Sequence, residues 1–168
     1  MDGTDCEIQE PTDFDPTYYS HKFNKAGLRY ELAVSIQTGW IVWVNGPFRC
    51  GSYPDANIFL NEGLLDELPL NERVEVDGGY RGHRAFSGPN DTNGSPEWGK
   101  MKAEARARHE TINGRLKRFA ILSTTYRGDR DNHGLFFYAV AAIVQFDIRR
   151  GGTSFIVDYM IRRRNNDF

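Results

Sequence analysis

Three acidic residues stand where separate elements of a fold could bring their carboxylates together. Asp2 begins the first predicted strand, Asp77 ends a later strand beside two glycines, and Glu110 lies inside a basic helix. Hydrolysis or transfer of a phosphodiester is well served by two divalent cations about 3.5 to 4 Å apart, which several carboxylates must hold. The three residues are therefore candidate catalytic groups and candidate ligands of two Mg²⁺ or Mn²⁺ ions.

The helix predicted around Glu110 places cations beside this carboxylate. Arg106, Glu110, Asn113, Gly114 and Lys117 recur at intervals of three and four, so they share one helix face. On a functional interpretation Glu110 points at a metal and Arg106 and Lys117 contact phosphates. Gly114 would admit a DNA backbone or a neighbouring element. Ordinary pairing on a solvated helix face is the alternative, and the adjacent His109 is expected to contact phosphate or solvent.

The strands that must position these residues are indicated by alternating apolar runs. Residues 28–44 contain two β-branched and aromatic runs around Gln37-Thr38-Gly39, the pattern of a β-hairpin. A short strand around residues 5–8 is its natural neighbour, and residues 73–76 predict a further strand directly before Asp77. Trp40, Trp43 and Tyr30 are expected to pack within the hairpin.

Three helices are predicted from the spacing of apolar residues. The first covers residues 54–68 with a break at Gly63, and the second covers residues 100–122 after a polar insertion. The third covers residues 132–149 and is nearly all apolar, which predicts burial on most of its faces. The order of elements predicts an α/β fold, a mixed sheet with helices packed on it.

Length and composition favour one domain. The 168 residues suffice for a single core, which we place at residues 1–160, with a basic and disordered tail at 161–168. A strand is predicted at residues 154–159. No membrane span or secretory signal is recognisable, so an intracellular protein is expected. Cys6 and Cys50 have no neighbours at zinc-ligand spacing and are expected to be buried free thiols.

Charge is distributed unevenly along the chain. Residues 1–72 contain 4 basic and 12 acidic residues, whereas residues 73–168 contain 17 basic and 11 acidic residues. An excess of basic residues in one part of a chain is expected where one side faces a polyanion.

Six ordered segments resemble the DDE superfamily of transposase endonucleases. They are DGTDCEIQEP, KAGLRYELAVSIQTGWIVWVNGPF, CGSYPDANIF, VEVDGGYRGH, ARARHETINGRLKRFAIL and HGLFFYAVAAIVQF. The sequence is most similar to the eukaryotic Harbinger-like group, which is related to bacterial insertion-sequence transposases. The resemblance implies a ribonuclease H-like fold, a mixed sheet flanked by helices.

The resemblance also implies roles for individual residues. Asp2, Asp77 and Glu110 match the catalytic, metal-binding triad, and Asp55 matches a further acidic position that we take as an additional metal ligand. The basic residues implied as DNA contacts are Arg81, Arg106, Lys117 and Arg118. Arg106, Glu110 and Lys117 resemble a signature of the bacterial enzymes, whose tyrosine is replaced by alanine here.

In this family the first aspartate lies within a strand that begins several residues earlier, and an end-recognising domain precedes it. The resemblance therefore implies a truncated first strand and a separate upstream DNA-binding domain or partner. Transposon-end and target DNA are the expected partners, a homo-oligomer is a further hypothesis, and the nucleus is the expected location in a eukaryotic host.

The resulting functional prediction is metal-dependent DNA cleavage and strand transfer. A domesticated or decayed transposase fragment that binds DNA or protein without cleaving is the main alternative. A junction-cleaving or ribonuclease H-type nuclease shares the same chemistry and remains a third hypothesis.

Overall fold

The computed structural model describes residues 1–80, 82–91, 95–152 and 157 and shows a mixed α/β arrangement. The predicted α/β class is confirmed, because antiparallel and parallel strands both pack with helices. Arg81, the basic run at 162–164 and, apart from Val157, the strand predicted at 154–159 lie outside the described residues.

An antiparallel sheet forms around a long central strand. Its members are β1 (Asp2–Glu7), β2 (Tyr19–Ser20), β3 (Lys25–Val34) and β4 (Ile41–Arg49). β1 and β4 pair with opposite edges of β3, since Leu32 lies across from both Asp2 and Val44. The predicted hairpin is confirmed: the Ser35 N–H donates to the Trp40 carbonyl at 2.8 Å and closes the turn between β3 and β4.

A second, parallel pair of strands follows two short helices. The helices are α1 (Asp55–Asn61) and α2 (Leu64–Glu67), and the strands are β5 (Val74–Glu75) and β6 (Phe86–Ser87). The predicted break at Gly63 is confirmed, because this residue has a φ of 104°, which glycine adopts without steric cost. The strand predicted before Asp77 is confirmed as β5.

The long helix α3 (Pro96–Leu116) begins and ends earlier than residues 100–122 predicted. Ser95 caps its N-terminus by accepting from the Trp98 N–H, and Pro96 stands at the first helical turn, where no backbone donor is needed. After Leu116 the chain turns and forms the short helix α4 (Ala120–Ser123). The predicted single helix is therefore two helices.

The helix α5 (His133–Asp147), which continues into a π-helical segment at Ile148–Gly152, is predicted well in position but wrongly in burial. Phe137, Val140 and Val144 are buried, whereas Leu135 is 70% exposed and Ile143 is 54% exposed. One face therefore packs against the sheet and the opposite face is open. Within the described residues no helix is long and apolar enough to cross a membrane.

Two hydrophobic clusters hold these elements together. The main core joins β1 and β3 to α3 and α5, and its members include Leu28, Tyr30, Leu32, Ile112, Leu116, Phe137, Val140 and Val144. Tyr30 stacks on Phe137 of α5 with ring centroids 3.7 Å apart, so it packs against a helix and not within the hairpin as predicted. The second core joins α1, α2, β5 and β6, and its members include Met1, Phe59, Leu64, Val76, Tyr80 and Phe86. Cys6 and Cys50 are buried and free, as predicted.

Candidate active site

The first two predicted carboxylates lie at neighbouring strand ends. The Met1 amino group donates to the Glu75 carbonyl at 2.7 Å, so the start of β1 lies beside β5. Asp2 follows Met1 directly, and Asp77 follows Glu75 after one intervening residue, so both carboxylates lie where β1 and β5 meet. Asp77 is exposed, and its Oδ1 accepts from the Gly79 N–H at 2.8 Å.

The third carboxylate reaches the same place from α3. Asp2, Asp77 and Glu110 all line one cavity of about 110 Å³, which we call the carboxylate cavity. Arg106, one helical turn before Glu110, lines it as well. The structure thus brings together residues that lie 75 and 33 positions apart in the chain.

Negative charge in the carboxylate cavity is poorly neutralised. Burial, together with the nearby carboxylates of Asp77 and Asp55, raises the pKa of Asp2 to about 6. In the described part of the chain, no ion pair is formed by Asp2, Asp77 or Glu110. A cation bound here would relieve this repulsion.

Asp55 lies close to Asp2 but in a different electrostatic setting. It stands in the first turn of α1, and its Oδ1 lies 3.1 Å from Nη1 of Arg29. A Cβ added at Gly3 would collide with this carboxylate, so β1 approaches α1 as closely as glycine allows. Arg29 also donates two hydrogen bonds to Asp5, and burial still raises the pKa of Asp55. Asp55 does not line the carboxylate cavity, so its predicted metal-binding role stays a prediction and it ranks below the three cavity carboxylates.

The donor set of the carboxylate cavity fits Mg²⁺ or Mn²⁺, which prefer oxygen ligands. Among the residues that the structure describes, however, no three His, Cys, Asp or Glu side chains stand at metal-binding distance from one another. The carboxylates therefore converge on one cavity without forming a finished coordination shell. Asp2 and Asp77 are the residues that would hold a cation, and Glu110 would complete the set by a change of side-chain position.

A protein-family model described as "DDE superfamily endonuclease" matches residues 1–145, which is most of the chain. The chain belongs to this superfamily. Searches of curated proteins and of solved structures found no match. The superfamily match spans β1, β5 and α3, the elements that bear or directly precede the three acidic residues of the carboxylate cavity in this DDE endonuclease domain.

The predicted DNA-contacting cations occupy three different environments. Arg106 faces the carboxylate cavity, and its Nη1 is buried without a hydrogen-bond partner among the described residues. Arg118 is exposed just beyond α3. Lys117 instead donates to the carbonyls of Asp5 and Leu122 and approaches Sγ of Cys6 at 3.2 Å. Its DNA contact stays a prediction, but these bonds join the end of α3 to β1 and α4 in this DDE domain.

Two expectations for α3 are only partly tested. His109 is only 6% exposed and its Nε2 lies 3.1 Å from the Leu32 carbonyl, so the expected solvent contact is wrong, whereas the ring lines the carboxylate cavity and its phosphate contact stays a prediction. Burial lowers its pKa to about 3, which keeps the ring neutral. A Cβ added at Gly114 would meet no atom within 4 Å, so no described element approaches there.

A buried lysine that the sequence reading missed positions Asp77. Lys102 on α3 is 1% exposed, and its Nζ donates to both carboxylate oxygens of Glu75 at 2.9 and 2.7 Å and to Oγ of Ser87. Glu75 and Ser87 are paired neighbours on β5 and β6. Lys102 therefore fixes the parallel strand pair against α3, two residues before Asp77.

A fourth carboxylate near the cavity was also missed. Glu31 lies opposite Gly3 on β3 and is 1% exposed. The Nε1–H of Trp43 donates to Oε2 at 3.1 Å, whereas Oε1 is buried without a partner among the described residues. Burial raises the pKa of Glu31 to about 7, and the charge of Asp55 adds to this effect.

Glu31→Gln is expected to stabilise the protein at pH 8 by on the order of 2 kcal/mol and to have little effect at pH 4. In the folded wild type Glu31 keeps its proton up to about pH 7, whereas its ordinary pKa is 4.5. Wild-type stability should therefore decrease as pH rises from 4.5 to 7, and Gln removes this contribution while still accepting from Trp43. Urea unfolding of both proteins between pH 4 and 8, with EDTA present, measures the difference.

Glu72→Gln is the matched control, because Glu72 is exposed and the substitution likewise replaces a carboxylate with an amide. Parallel stability profiles for the wild type and Glu31→Gln across this pH range would contradict the assigned titration.

Proposed function

We propose that this chain is the catalytic domain of a metal-dependent DNA endonuclease and strand transferase. The observation that carries the proposal is the convergence of Asp2, Asp77 and Glu110, from three separate elements, on one cavity. The superfamily match supports the same reaction class, because it includes the elements that bear all three residues.

The topology supports a ribonuclease H-like arrangement. β4, β3 and β1 form consecutive antiparallel neighbours, and β5 and β6 form a parallel pair. The hydrogen bond from Met1 to Glu75 places this parallel pair next to β1. These two adjacent sheets, with α3 packed against them, explain why strand ends and one helix supply the acidic residues.

Each cavity residue has a chemical task in this proposal. Asp2 and Asp77 hold divalent cations from adjacent strand ends, and Glu110 contributes a carboxylate from the opposite wall. When bound, two divalent cations would activate the attacking oxygen and stabilise the leaving oxygen of a phosphodiester. Arg106 lines the same space, and its Nη1, which is buried without a hydrogen-bond partner among the described residues, can contact a phosphate and orient the scissile bond.

The charge pattern supports DNA as the substrate. The excess of basic residues follows residue 72, and the exposed Arg118 and the half-buried Arg106 are on or next to α3. A DNA strand that reached the carboxylate cavity would lie near this helix. Arg81 belongs to the same proposal through its position in the sequence, four residues after Asp77.

Purified protein should nick supercoiled plasmid DNA when Mg²⁺ or Mn²⁺ is present and should not nick it with EDTA. Plasmid DNA avoids any assumption about recognised ends, and Mn²⁺ binding measured by calorimetry on the same preparation gives an independent readout. Cleavage that persists in EDTA would contradict the proposed chemistry.

One observation favours a second function, that of a non-catalytic DNA- or protein-binding module. The described carboxylates do not form a group of three at metal-binding distance. A module of this kind should bind duplex DNA or a protein with no Mn²⁺ binding in the calorimeter and no nicking. The two functions therefore give opposite results in the same pair of experiments.

A further inference from the structure

A chain of hydrogen bonds connects α3 to the carboxylate of Asp2. Nδ2 of Asn113 lies 3.4 Å from Oδ2 of Asp2 and 3.4 Å from Nδ1 of His109, which is one helical turn earlier. The other ring nitrogen of His109, Nε2, lies 3.1 Å from the Leu32 carbonyl. Two side chains of one helix therefore link Asp2 to the backbone of β3.

The proton positions along this chain follow from the groups at its ends. A backbone carbonyl only accepts, so Nε2 of His109 carries the hydrogen and Nδ1 of the neutral ring accepts. Nδ2 of Asn113 has two hydrogens, one for Nδ1 of His109 and one for Oδ2 of Asp2. The opposite orientation of the amide would place an oxygen against two acceptors. Only one arrangement of hydrogens therefore satisfies the chain.

The oxygen of the same amide supports this orientation. Oδ1 of Asn113 is buried without a hydrogen-bond partner among the described residues. A buried polar atom without a partner is unfavourable, so the amide is not oriented by any contact of its oxygen. The bonds that Nδ2 donates to Asp2 and His109 orient it instead.

Both ends of the chain meet at one rung of the sheet. Leu32 lies directly across from Asp2 in the β1–β3 ladder. The helix α3 therefore holds the backbone of this rung through His109 and its acidic side chain through Asn113. The second carboxylate oxygen of Asp2, Oδ1, accepts from the Gly3 N–H at 2.8 Å. Each oxygen thus has one donor, which fixes the direction of the carboxylate and leaves lone pairs for a cation.

We infer that Asn113, itself held by His109, is the positioning residue of Asp2 and fixes its carboxylate in the orientation that binds a divalent cation. The inference rests on the proposed function, because it takes Asp2 as a cation ligand. Residues that hydrogen-bond to metal ligands typically contribute about 10- to 100-fold in metal affinity or activity. A contact that served only to pack α3 on the sheet would change the free energy of unfolding and leave the cation affinity of the folded protein unchanged.

Mn²⁺ titration of the full chain by calorimetry tests the role of Asn113. Asn113→Leu keeps the approximate volume of the side chain and removes the donor, so the Mn²⁺ affinity of the folded protein should fall at least about tenfold. Asn61→Leu is the matched control, because Asn61 is exposed, lies on α1 and undergoes the same substitution. Its Mn²⁺ affinity should equal that of the wild type. Urea unfolding of each variant gives the folded fraction to which the affinity refers.

Two substitutions of His109 separate positioning from packing. In His109→Asn the side-chain oxygen takes the place of Nδ1 and can still accept from Asn113. In His109→Gln the side-chain nitrogen takes the place of Nε2 and can still donate to the Leu32 carbonyl. Both variants lose the ring, but only His109→Asn retains the bond that holds Asn113. The Mn²⁺ affinity of His109→Asn should therefore exceed that of His109→Gln at least severalfold.

A readout without any metal tests the hydrogen bonds themselves. In nitrogen NMR spectra of the metal-free protein, His109 should be the neutral tautomer with its hydrogen on Nε2. Asn113→Leu should shift the Nδ1 signal, because Nδ1 loses its donor, and Asn61→Leu should leave this signal unchanged.

Three results would overturn the inference. They are a His109 tautomer with its hydrogen on Nδ1, equal Mn²⁺ affinities of the two His109 variants, and a wild-type Mn²⁺ affinity in Asn113→Leu. If Asp77→Asn weakens Mn²⁺ binding and Asn113→Leu does not, the inference fails while the proposed function stands. A wild type that binds no Mn²⁺ contradicts the proposed function and the inference together, even where the NMR spectra show the hydrogen bonds.

Discussion

Asp77→Asn should reduce metal-dependent DNA nicking by more than about a hundredfold while leaving the fold intact, because even residues that only orient metal ligands contribute about 10- to 100-fold. Asp77 is exposed and follows β5, and Asn retains the Oδ1 that accepts from the Gly79 N–H. The substitution thus removes one negative charge from the carboxylate cavity and little else. Initial nicking rates with Mn²⁺, together with Mn²⁺ titration by calorimetry, measure the loss.

Asp13→Asn is the control for this experiment, since Asp13 is exposed, does not line the carboxylate cavity and undergoes the same substitution. Glu110→Gln should reproduce the Asp77→Asn defect, because Glu110 lines the same cavity from α3. Nicking at the wild-type rate by Asp77→Asn, with unchanged Mn²⁺ affinity, would remove the carboxylate cavity as the catalytic site.

Lys102→Met should lower the free energy of unfolding by about 3 to 5 kcal/mol, the typical effect of breaking a buried ion pair from one side. Lys102 and the Glu75 carboxylate are 1% and 9% exposed, and their closest N–O distance is 2.7 Å. Met fills most of the space of the lysine stem but leaves a buried carboxylate without this cation. Equilibrium urea unfolding measures the change, and Lys100→Met, at an exposed position on the same helix, is the matched control.

A second substitution distinguishes lost pairing from lost packing. Combining Lys102→Met with Glu75→Leu should recover much of the stability, because apolar replacement of both partners of a buried pair is often neutral or better. If Lys102→Met and Lys100→Met unfold at the same urea concentration, the ion pair contributes nothing measurable to the free energy of unfolding. Equal instability of the single and double variants would assign the effect to packing.

The placement of the acidic residues could be predicted because it depends on strand and helix ends. Asp77 follows a β-branched run that stops at glycines, and Glu110 lies in a proline-free helix. Both signals are local. The break at Gly63 and the hairpin turn were predicted for the same reason, since the conformation of a turn depends on a few adjacent residues.

The predictions that failed concern the residues that lie against a given face of a helix. His109 was placed correctly around the helix axis, but that side of α3 lies against the Leu32 carbonyl, a contact with a residue 77 positions away. Lys117, the residue that caps the C-terminus of α3, likewise donates to the Asp5 and Leu122 carbonyls, partners that its helical spacing does not reveal. Helical spacing fixes relative directions on one helix and carries no information on what lies opposite.

Lys102 and Glu31 were missed because charged residues in a sequence are read as solvent-facing unless a partner is known. Lys102 forms an ion pair with Glu75 on β5, and Glu31 accepts a hydrogen bond from Trp43 across the hairpin. The apolar run of α5 was read as buried for the converse reason, although only one of its faces packs against the sheet. Long-range pairing decides all three cases.

The interior is divided into two cores, and only one of them supports the position of Asp77. Asp77 depends on the second core around Val76, Tyr80 and Phe86, whereas α3 and α5 are held by the main core. Mutations that loosen the second core should therefore displace Asp77 while the main core stays folded. Loss of the proposed DNA cleavage would then need changes around β5 and β6 only.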